Sequence, residues 1–363
     1  MRHFIITLIC VLALASCTKK QDDGAASHQT WDCTSFNSSK PYDFQKDYPN
    51  SHFVKLEDGP EAQIGMISKL LVNDSLLIIL DKDFVKKVLV FKPSTGKFLN
   101  SIGQTGSGPD EYTMIKDISY NSQNGTIHAL CDRDKVFVYN LAGELTSSRT
   151  APCPASFMEY NDGRYYFFSS DDSCGEITVA DTAMNVVASF FPNGQNPIVH
   201  TLLHPFQKHQ NGDITYVRYM DNNIYRINDA DSIEIKYAVD FGDTAYTREM
   251  AEADGEDKIR VNMRNKRGCI KYYTENEREA AIVFFDNAMP CMSILNKETG
   301  ESTNIPLENI CDSFLGRNVS PIEFATPDGL IMVLNPAATE PGTPLAEAID
   351  DSNENPIIYY LAR

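Results

Sequence analysis

The sequence predicts an all-β fold: a six-bladed β-propeller closed by an N-terminal strand that joins the last blade, with one short helical insertion. The main observation is a unit of about 40–50 residues that recurs about six times between residues 76 and 361. Each copy reads as an apolar strand, an acidic turn, a second apolar strand, a polar turn and a third strand, most clearly at 76–103 and 127–148. A unit that cannot bury its faces alone must stack on neighbours, as in propellers and solenoids.

The blades follow one another along the chain, and the strands of each blade are named a to d. We predict the first blade at 64–72, 76–80, 86–91 and 97–102, and the second at 115–120, 126–131, 135–139 and 144–149. The third spans about 155–191, the fourth 198–241 and the fifth 268–306. Pro93 and Gly96 stand in the first c–d turn, where a tight hairpin favours them.

The sixth blade begins near Phe314 and lacks one strand. Its strand b is predicted at 330–334, and the chain ends in an apolar strand at 356–361. An isolated alternating strand at 51–56 precedes the first blade and is available to complete the sixth. Pairing the two closes the ring and removes the exposed edges that a linear array of sheets would leave.

The N-terminus is predicted to lie outside the fold. Arg2 and the apolar run 4–14 are typical of a signal peptide, and the run is too short to span a bilayer stably. The residues Leu14-Ala15-Ser16-Cys17 resemble the lipobox of bacterial lipoproteins, which implies cleavage before Cys17 and its lipidation. An ordinary secretory signal and a short anchor helix are the alternatives. We therefore divide the chain into a signal peptide at 1–16, a flexible tether at 17–50 and a propeller at 51–363.

Charge and cysteine content exclude several classes of partner and site. The net charge of −18 argues against nucleic acid and against binding an anionic membrane through the protein body, so the membrane contact would be the lipid on Cys17. Cationic, neutral and metal-bridged partners remain open. Nine cysteines without CxxC spacing argue against a complete disulfide framework and a zinc site, although one or two bridges stay possible.

Three segments carry a family resemblance. The Gly-Pro-rich stretch Gly103-Gln104-Thr105-Gly106-Ser107-Gly108-Pro109-Asp110-Glu111-Tyr112, the lipobox and the C-terminal NPIIYYLAR resemble the TolB-like six-bladed propeller lipoproteins of Bacteroides-type bacteria. Asp110 departs from the glycine usual in that family. The blades are also similar to NHL repeats, as in Asp221-Asn222-Asn223. The resemblance implies a propeller outside the cytoplasm, lipid-anchored to the outer membrane on its periplasmic or outer side, and implies little about activity.

The long connections point to one face as the binding surface. Because strands alternate in direction, b–c loops and d-to-a crossings share a face, and the long segments 103–112, 244–267 and 335–355 all belong to these two kinds. Loops placed unevenly on a rigid scaffold usually carry function, although neutral drift of surface loops is the alternative. The candidate binding rim comprises Gly106, Gly108, Pro109, Glu111, Tyr112, Arg260 and Arg264.

The acidic turns allow a metal site or a structural role. Aspartates recur in the b–c turns and could hold Ca²⁺ or cap their own turns, and the repetition from blade to blade favours caps. His200, His204 and His209 are expected on strand a of blade 4, without the Glu of a HExxH motif. The candidate metal ligands in the central channel are Glu111, Asp117, Glu159, His204 and Glu323.

Three functions are consistent with the sequence. The first is a non-enzymatic binding or scaffold protein that captures a glycan, peptide or protein on the loop-rich face. The second is a calcium-dependent hydrolase or lyase, resembling gluconolactonase or NHL-type propeller enzymes, with its site in the channel. The third is a subunit of an outer-membrane complex, which an exposed apolar patch near residues 250–263 would favour. No GxSxG or Walker motif is present, which favours binding over catalysis.

Overall fold

The computed structural model describes residues 28–37, 41–192, 204–209, 211–228, 232–317, 319–349 and 354–363. Their strands form six sheets, five of four strands and one of five. Successive strands pair antiparallel within each sheet, so that each sheet is one blade. The predicted all-β, six-bladed propeller is confirmed. The signal peptide, Cys17 and His200 lie outside the described residues.

The strand bounds agree closely with the predicted bounds in the first two blades, except that strand a of blade 1 begins at Lys69 rather than at residue 64. Blade 1 contains β3 (Lys69–Val72), β4 (Leu77–Asp81), β5 (Lys87–Phe91) and β6 (Phe98–Ile102), and blade 2 contains β7 (Ile115–Asn121), β8 (Thr126–Cys131), β9 (Lys135–Asn140) and β10 (Leu145–Thr150). Blade 3 contains β11 (Phe157–Asn161), β12 (Arg164–Phe168), β13 (Gly175–Asp181) and β14 (Val186–Pro192).

The later blades follow the same plan. Blade 4 contains β15 (Phe206–Lys208), β16 (Ile214–Val217), β17 (Asn223–Asn228) and β18 (Ser232–Asp240), joined by β1 (Gln29–Asp32). Blade 5 contains β19 (Arg267–Glu275), β20 (Glu279–Asp286), β21 (Met289–Asn296) and β22 (Ser302–Pro306). Blade 6 contains β23 (Ile322–Thr326), β24 (Gly329–Leu334) and β25 (Ile357–Ala362), joined by β2 (His52–Lys55).

The ring closes as predicted, through β2. This strand pairs antiparallel with β25, with Val54 opposite Ile358, and becomes the outer strand d of blade 6. Apolar clusters fill the spaces between neighbouring blades, including the junction where Ile331 and Ile358 of blade 6 pack with Leu77 and Leu89 of blade 1. Burying both faces of every blade in this way is what a repeat unit needs for stability.

The predicted flexible tether at 17–50 is wrong for its described part. Residues 29–32 form β1, which runs parallel to β18 at the outer edge of blade 4. Trp31 is fully buried there, and its indole N–H donates to Ser293 Oγ at 2.7 Å. Phe44 and Tyr48 are also fully buried. The polar composition of the segment gave no sign that these few apolar residues are buried. Their burial offsets the conformational entropy that the segment loses when it is ordered.

The expected helical insertion between blades 4 and 5 contains two short helices, and further short helices lie elsewhere. The α-helices are α1 (Phe44–Asp47), α2 (Arg248–Asp254), α3 (Glu256–Asn262) and α4 (Pro344–Ala348), and 3₁₀ turns occupy Asp132–Asp134, Gly242–Thr244, Leu307–Asn309 and Pro336–Ala338. Thr247 caps α2 by accepting from the Met250 N–H. Gly255, with φ of 71°, separates α2 from α3. Over the described ranges, no helix has the length and apolarity to cross a membrane.

No disulfide links any two of the described cysteines. Cys33, Cys131, Cys153, Cys269 and Cys291 are buried, while Cys174 and Cys311 are partly exposed. This agrees with the argument against a complete disulfide framework. Burial raises the pKa of the Cys269 thiol to about 11, so it behaves as a small apolar side chain.

Candidate functional site

The Gly-Pro-rich crossing after β6 is a loop held together by one carboxylate. Glu111 accepts from the Gly108 N–H at 2.8 Å and from the Gln104 amide at 3.0 Å. A Cβ on Gly106 would lie 1.9 Å from Glu111 Oε2, so a larger residue there would displace the Glu111 carboxylate. Glu111 therefore shapes the crossing and is not grouped with the other candidate metal ligands.

The other rim candidates fall into separate environments. Tyr112 is fully buried, with its hydroxyl donating to the Lys86 carbonyl at 3.0 Å, so it cannot contact a ligand at the rim. Pro109 and Arg264 are exposed on the loop-rich face. Arg260 lies in α3, and its side chain is outside the described part of the structure. The segment predicted to form the rim therefore determines the shape of the loop and offers few side chains that could bind a ligand.

The b–c aspartates act as turn caps. Asp81 is fully buried and accepts from the backbone N–H groups of Gly65 and Met66 at 2.8 and 3.0 Å. Asp132, at the equivalent position of blade 2, accepts from Thr113 and Met114 at 3.0 and 3.3 Å. Each carboxylate ties its b–c turn to the crossing that enters its own blade. The predicted structural role of these aspartates is confirmed for the first two blades.

The loop-rich face carries most of the exposed large apolar side chains. Among the described residues, nine such side chains are exposed. Five of them lie in b–c turns or d-to-a crossings, and a sixth, Met289, begins β21 directly after a b–c turn. These six, here called the apolar face residues, are Met66, Phe84, Met114, Met250, Val261 and Met289. Phe84 is 66% exposed and Val261 57% exposed. The apolar patch expected near 250–263 is present at Met250 and Val261, whereas Ile259 and Met263 are buried.

Helix α2 is fixed to the blades by a buried carboxylate. Glu176, on β13, accepts from both Nε and Nη2 of Arg218 at 2.8 and 2.7 Å. The same carboxylate accepts from Arg248 of α2 at 2.9 Å and from the Tyr216 hydroxyl at 3.0 Å. Bidentate arginine–carboxylate pairs are both strong and geometrically specific. The insertion is therefore held against blades 3 and 4 as a defined surface.

A large cavity opens on the opposite face. It has a volume of about 1190 Å³ and is lined by residues from all six blades. Its mouth is framed by the a–b turns of blades 1 to 4, with Asn73, Gln123, Asp162 and Gly212 among the lining residues. From the sequence, we expected the function on the loop-rich face and only tight turns on the face where this cavity opens. The cavity forms because the inner strands of the blades diverge toward this face. The lengths of the loops in the sequence give no information about that divergence.

The floor of the cavity holds a buried ion cluster. Lys69 Nζ lies 3.1 Å from Asp117 Oδ1 and 3.2 Å from Glu159 Oε2. Burial opposes the ammonium charge, but both carboxylates outweigh it and hold the pKa of Lys69 above its ordinary value. Lys208 lies 3.6 Å from Glu159 and donates to the Tyr160 carbonyl. The structure thus brings Asp117 and Glu159 together, as partners of a lysine.

His204 and Glu323 also line the cavity. Strand a of blade 4 begins at Phe206, so the expected placement of His204 on that strand is wrong. Burial lowers the pKa of His204 to about 3, and the ring stays neutral near its Lys69 neighbour. Glu323 stands at a bulge of β23, and burial raises the pKa of its carboxyl to about 7. His209 binds Thr215 and Glu275 instead.

The candidate metal ligands do not fit a calcium site. Calcium favours six to eight oxygen ligands, several of them carboxylates. Here the Lys69 ammonium stands between Asp117 and Glu159, and Glu111 belongs to the crossing. Within the described ranges, no group of three or more His, Cys, Asp or Glu side chains could hold a metal ion.

Sequence reasoning missed Lys69, Lys208 and most of the apolar face residues. A lysine inside the apolar run 69–72 was the available signal for Lys69, because a buried lysine needs carboxylate partners. The exposed methionines gave no signal, since methionine is equally common in cores.

Comparisons with known proteins agree with this architecture. A family model described as a six-bladed β-propeller, DUF5128, matches residues 20–332. A structure from Bacteroides fragilis NCTC 9343, provisionally described as an exported protein, is 18% identical with a TM-score of 0.76, covering 92% of this chain and 99% of that one. A DUF4221 member from Bacteroides vulgatus is 11% identical with a TM-score of 0.57, covering 86% and 96%.

These likenesses to solved structures concern the fold alone. No curated protein matches the chain. The family match covers most of the sequence and agrees with the six blades described above. The chain belongs to the DUF5128 family of six-bladed β-propellers.

Proposed function

We propose that the chain is an extracytoplasmic, lipid-anchored binding protein that docks a protein partner on its loop-rich face. The observation that carries this proposal is the concentration of the apolar face residues on that face. Monomeric proteins rarely expose grouped apolar side chains without an interaction to serve. Four of the six are methionines, whose flexible thioethers suit adaptable binding surfaces.

The charge of the same face selects the partner. Exposed carboxylates stand in the same turns and crossings as the apolar face residues, at Asp83, Asp110, Asp243, Glu249 and Glu252. The chain as a whole carries a net charge of −18. Complementary charge accelerates association and disfavours partners of like sign. We therefore expect a protein partner that presents apolar side chains within a basic surface.

The location follows from the N-terminal sequence. Small residues followed by Cys17 are the basis for expecting a lipid anchor at the outer membrane. The provisional description of the Bacteroides fragilis protein as exported is consistent with a position outside the cytoplasm. The calcium-dependent alternative receives no support from the described residues, because Lys69 neutralises the carboxylates at the cavity floor.

The size of the native complex tests this proposal. The full chain is expressed in its own envelope, solubilised in mild detergent and separated by native electrophoresis. The wild type should migrate in a complex larger than one chain, and the double variant Met250→Gln/Val261→Thr should migrate alone. The control Val186→Thr/Val187→Thr changes exposed apolar residues on β14, outside the loop-rich face. A wild-type chain that migrates alone, or a face variant that keeps its complex, would refute the proposal.

A further inference from the structure

We propose that the central cavity is a binding site for a neutral oligosaccharide. The site is independent of the docking face, because it opens at the a–b turns on the other side of the ring. Its volume of about 1190 Å³ exceeds the range of about 300–1,000 Å³ that holds drug-sized ligands. The space therefore suits a ligand of several linked rings rather than a single small metabolite.

Charge at the cavity floor argues for a neutral ligand. The two ammonium groups of Lys69 and Lys208 are matched by the two carboxylates of Asp117 and Glu159. Asp117 and Glu159 accept further backbone N–H groups, from Met158 at 2.8 Å and from Tyr160 at 3.3 Å. Charges compensated in this way leave no net attraction for a phosphate, a polycarboxylate or a metal ion.

Several polar groups of the lining have no bond within the described protein. Asn73 and Asn121 use their side-chain carbonyls to cap their own turns, accepting from Leu76 at 2.9 Å and from Gln123 at 3.1 Å. Their amide N–H groups remain as donors toward the cavity mouth.

His204 and Glu323 are deeper polar groups of the same lining, and neither makes a hydrogen bond with another described residue. Both side chains are partly buried, so their polar atoms are open to a ligand or to water. The hydroxyl groups of a sugar both donate and accept hydrogen bonds. They can therefore pair with the amide donors, the imidazole and the carboxyl group of this lining.

Aromatic side chains complete the match to sugar rings. Tyr120 and Tyr160 line the cavity beside the amide groups. The ring of Tyr160 is buried and stacks on His128, with centroids 4.1 Å apart, so the partly exposed ring of Tyr120 is the one open to a ligand. A rigid aromatic ring packs against an apolar ligand surface at low entropic cost. Pyranose rings present such an apolar C–H face between their hydroxyl groups.

The test is calorimetric titration of the full chain with defined probes. The neutral probes are short oligomers of α-1,4-glucan, β-1,4-glucan, β-1,4-xylan and β-1,4-mannan. The comparison probes are oligogalacturonate, chitosan oligomers and an uncharged flexible peptide. We expect one neutral oligosaccharide to bind with one site per chain. The proposal is overturned if no neutral oligosaccharide binds at millimolar concentration, or if a charged probe or the peptide binds more tightly.

Two sets of variants locate the site. Gln123→Trp adds bulk at the exposed mouth and should weaken binding at least about tenfold. Arg278→Trp places the same residue in the exposed a–b turn of blade 5, outside the cavity lining, and should leave binding unchanged. Glu323→Ala should weaken binding about tenfold, while Glu323→Gln keeps polar contacts and most of the affinity. Equal binding by Gln123→Trp and Arg278→Trp would overturn the assignment.

Discussion

Lys69 on the innermost strand of blade 1 binds Glu159 on the innermost strand of blade 3, with Nζ 3.2 Å from Oε2. Asp117, from blade 2, completes the cluster at 3.1 Å from the same Nζ. All three residues are buried. One lysine therefore links three blades beside the axis, and it occupies the position where a channel cation would need the carboxylates.

Replacing Lys69 by methionine should destabilise the propeller strongly. The change leaves Asp117 and Glu159 buried without their counter-charge, which costs about 3–5 kcal/mol for a broken buried pair. Denaturant unfolding followed by circular dichroism measures the loss.

The triple variant Lys69→Met/Asp117→Asn/Glu159→Gln is the matched control, because it removes both sides of the ion cluster. It should recover much of the lost stability. A loss of unfolding free energy below about 1 kcal/mol in the single variant would mean that water screens the ion cluster and that the cluster adds little to stability.

Replacing Trp31 by alanine tests the position of the N-terminal segment. Trp31 is buried beside Tyr237 in an edge-to-face contact of 5.6 Å. Emptying its site should cost about 3–5 kcal/mol of unfolding free energy. Trp31→Phe is the control and should lose much less, since it keeps most of the aromatic volume. Unchanged unfolding of Trp31→Ala would contradict the packing of β1 on blade 4.

The blades and their closure could be predicted from the sequence because each strand carries its own alternation. The strand at 51–56 was the missing member of blade 6, and β2 fills that place. The packing of 29–32 was missed because one tryptophan in a polar stretch gives no periodic signal. Pairing at long sequence separation, such as Trp31 with Tyr237, depends on the closed ring and is invisible in local patterns.

Removing the cap at Asp81 should destabilise the chain without any dependence on calcium. Asp81→Ala leaves the Gly65 and Met66 N–H groups without their acceptor, which costs about 1–3 kcal/mol. Thermal unfolding should not shift with added Ca²⁺ or EDTA in wild type or variant. Asp83→Ala, an exposed change in the same turn, should stay within about 0.5 kcal/mol of wild type. A melting temperature that rises with Ca²⁺ would show a native metal site and count against the caps.

Replacing Glu323 by glutamine should stabilise the protein increasingly as the pH rises above about 4.5. Burial raises the pKa of this carboxyl from 4.5 to about 7 in the folded chain. The unfolded state therefore loses its proton first, and ionisation of Glu323 progressively favours unfolding between those two values. Glutamine removes this penalty, so the gain should be on the order of 3 kcal/mol near pH 8 and absent below about pH 4.5.

Thermal unfolding across that pH range measures the effect of Glu323→Gln. The exposed change Glu277→Gln, in the a–b turn of blade 5, controls for the lost charge and should be nearly neutral throughout. Equal stability of wild type and Glu323→Gln at every pH would mean that the Glu323 carboxyl is hydrated.

The candidate site was less predictable than the fold, for a physical reason. Asp117, Glu159, His204 and Glu323 were chosen because acidic or histidine side chains on inner strands can reach the axis, and all but Asp117 line the cavity. The role of each side chain depends on the residues that it contacts. Lys69, which neutralises Asp117 and Glu159, comes from a different blade, so the contact is not visible in the local sequence. Loop length likewise pointed to the face that we propose for docking, but it carried no information on which loop side chains stay exposed.

Position-specific photo-cross-linking in the native envelope tests the docking proposal most directly. A photoreactive residue is placed in the full chain at Met250, at Met66 or, as control, at Val187. The account predicts one discrete cross-linked protein shared by positions 250 and 66, lost at high salt because complementary charge steers the complex. Position 187 should give none. Absence of a cross-link from 250 and 66, or the same product from 187, would contradict the account.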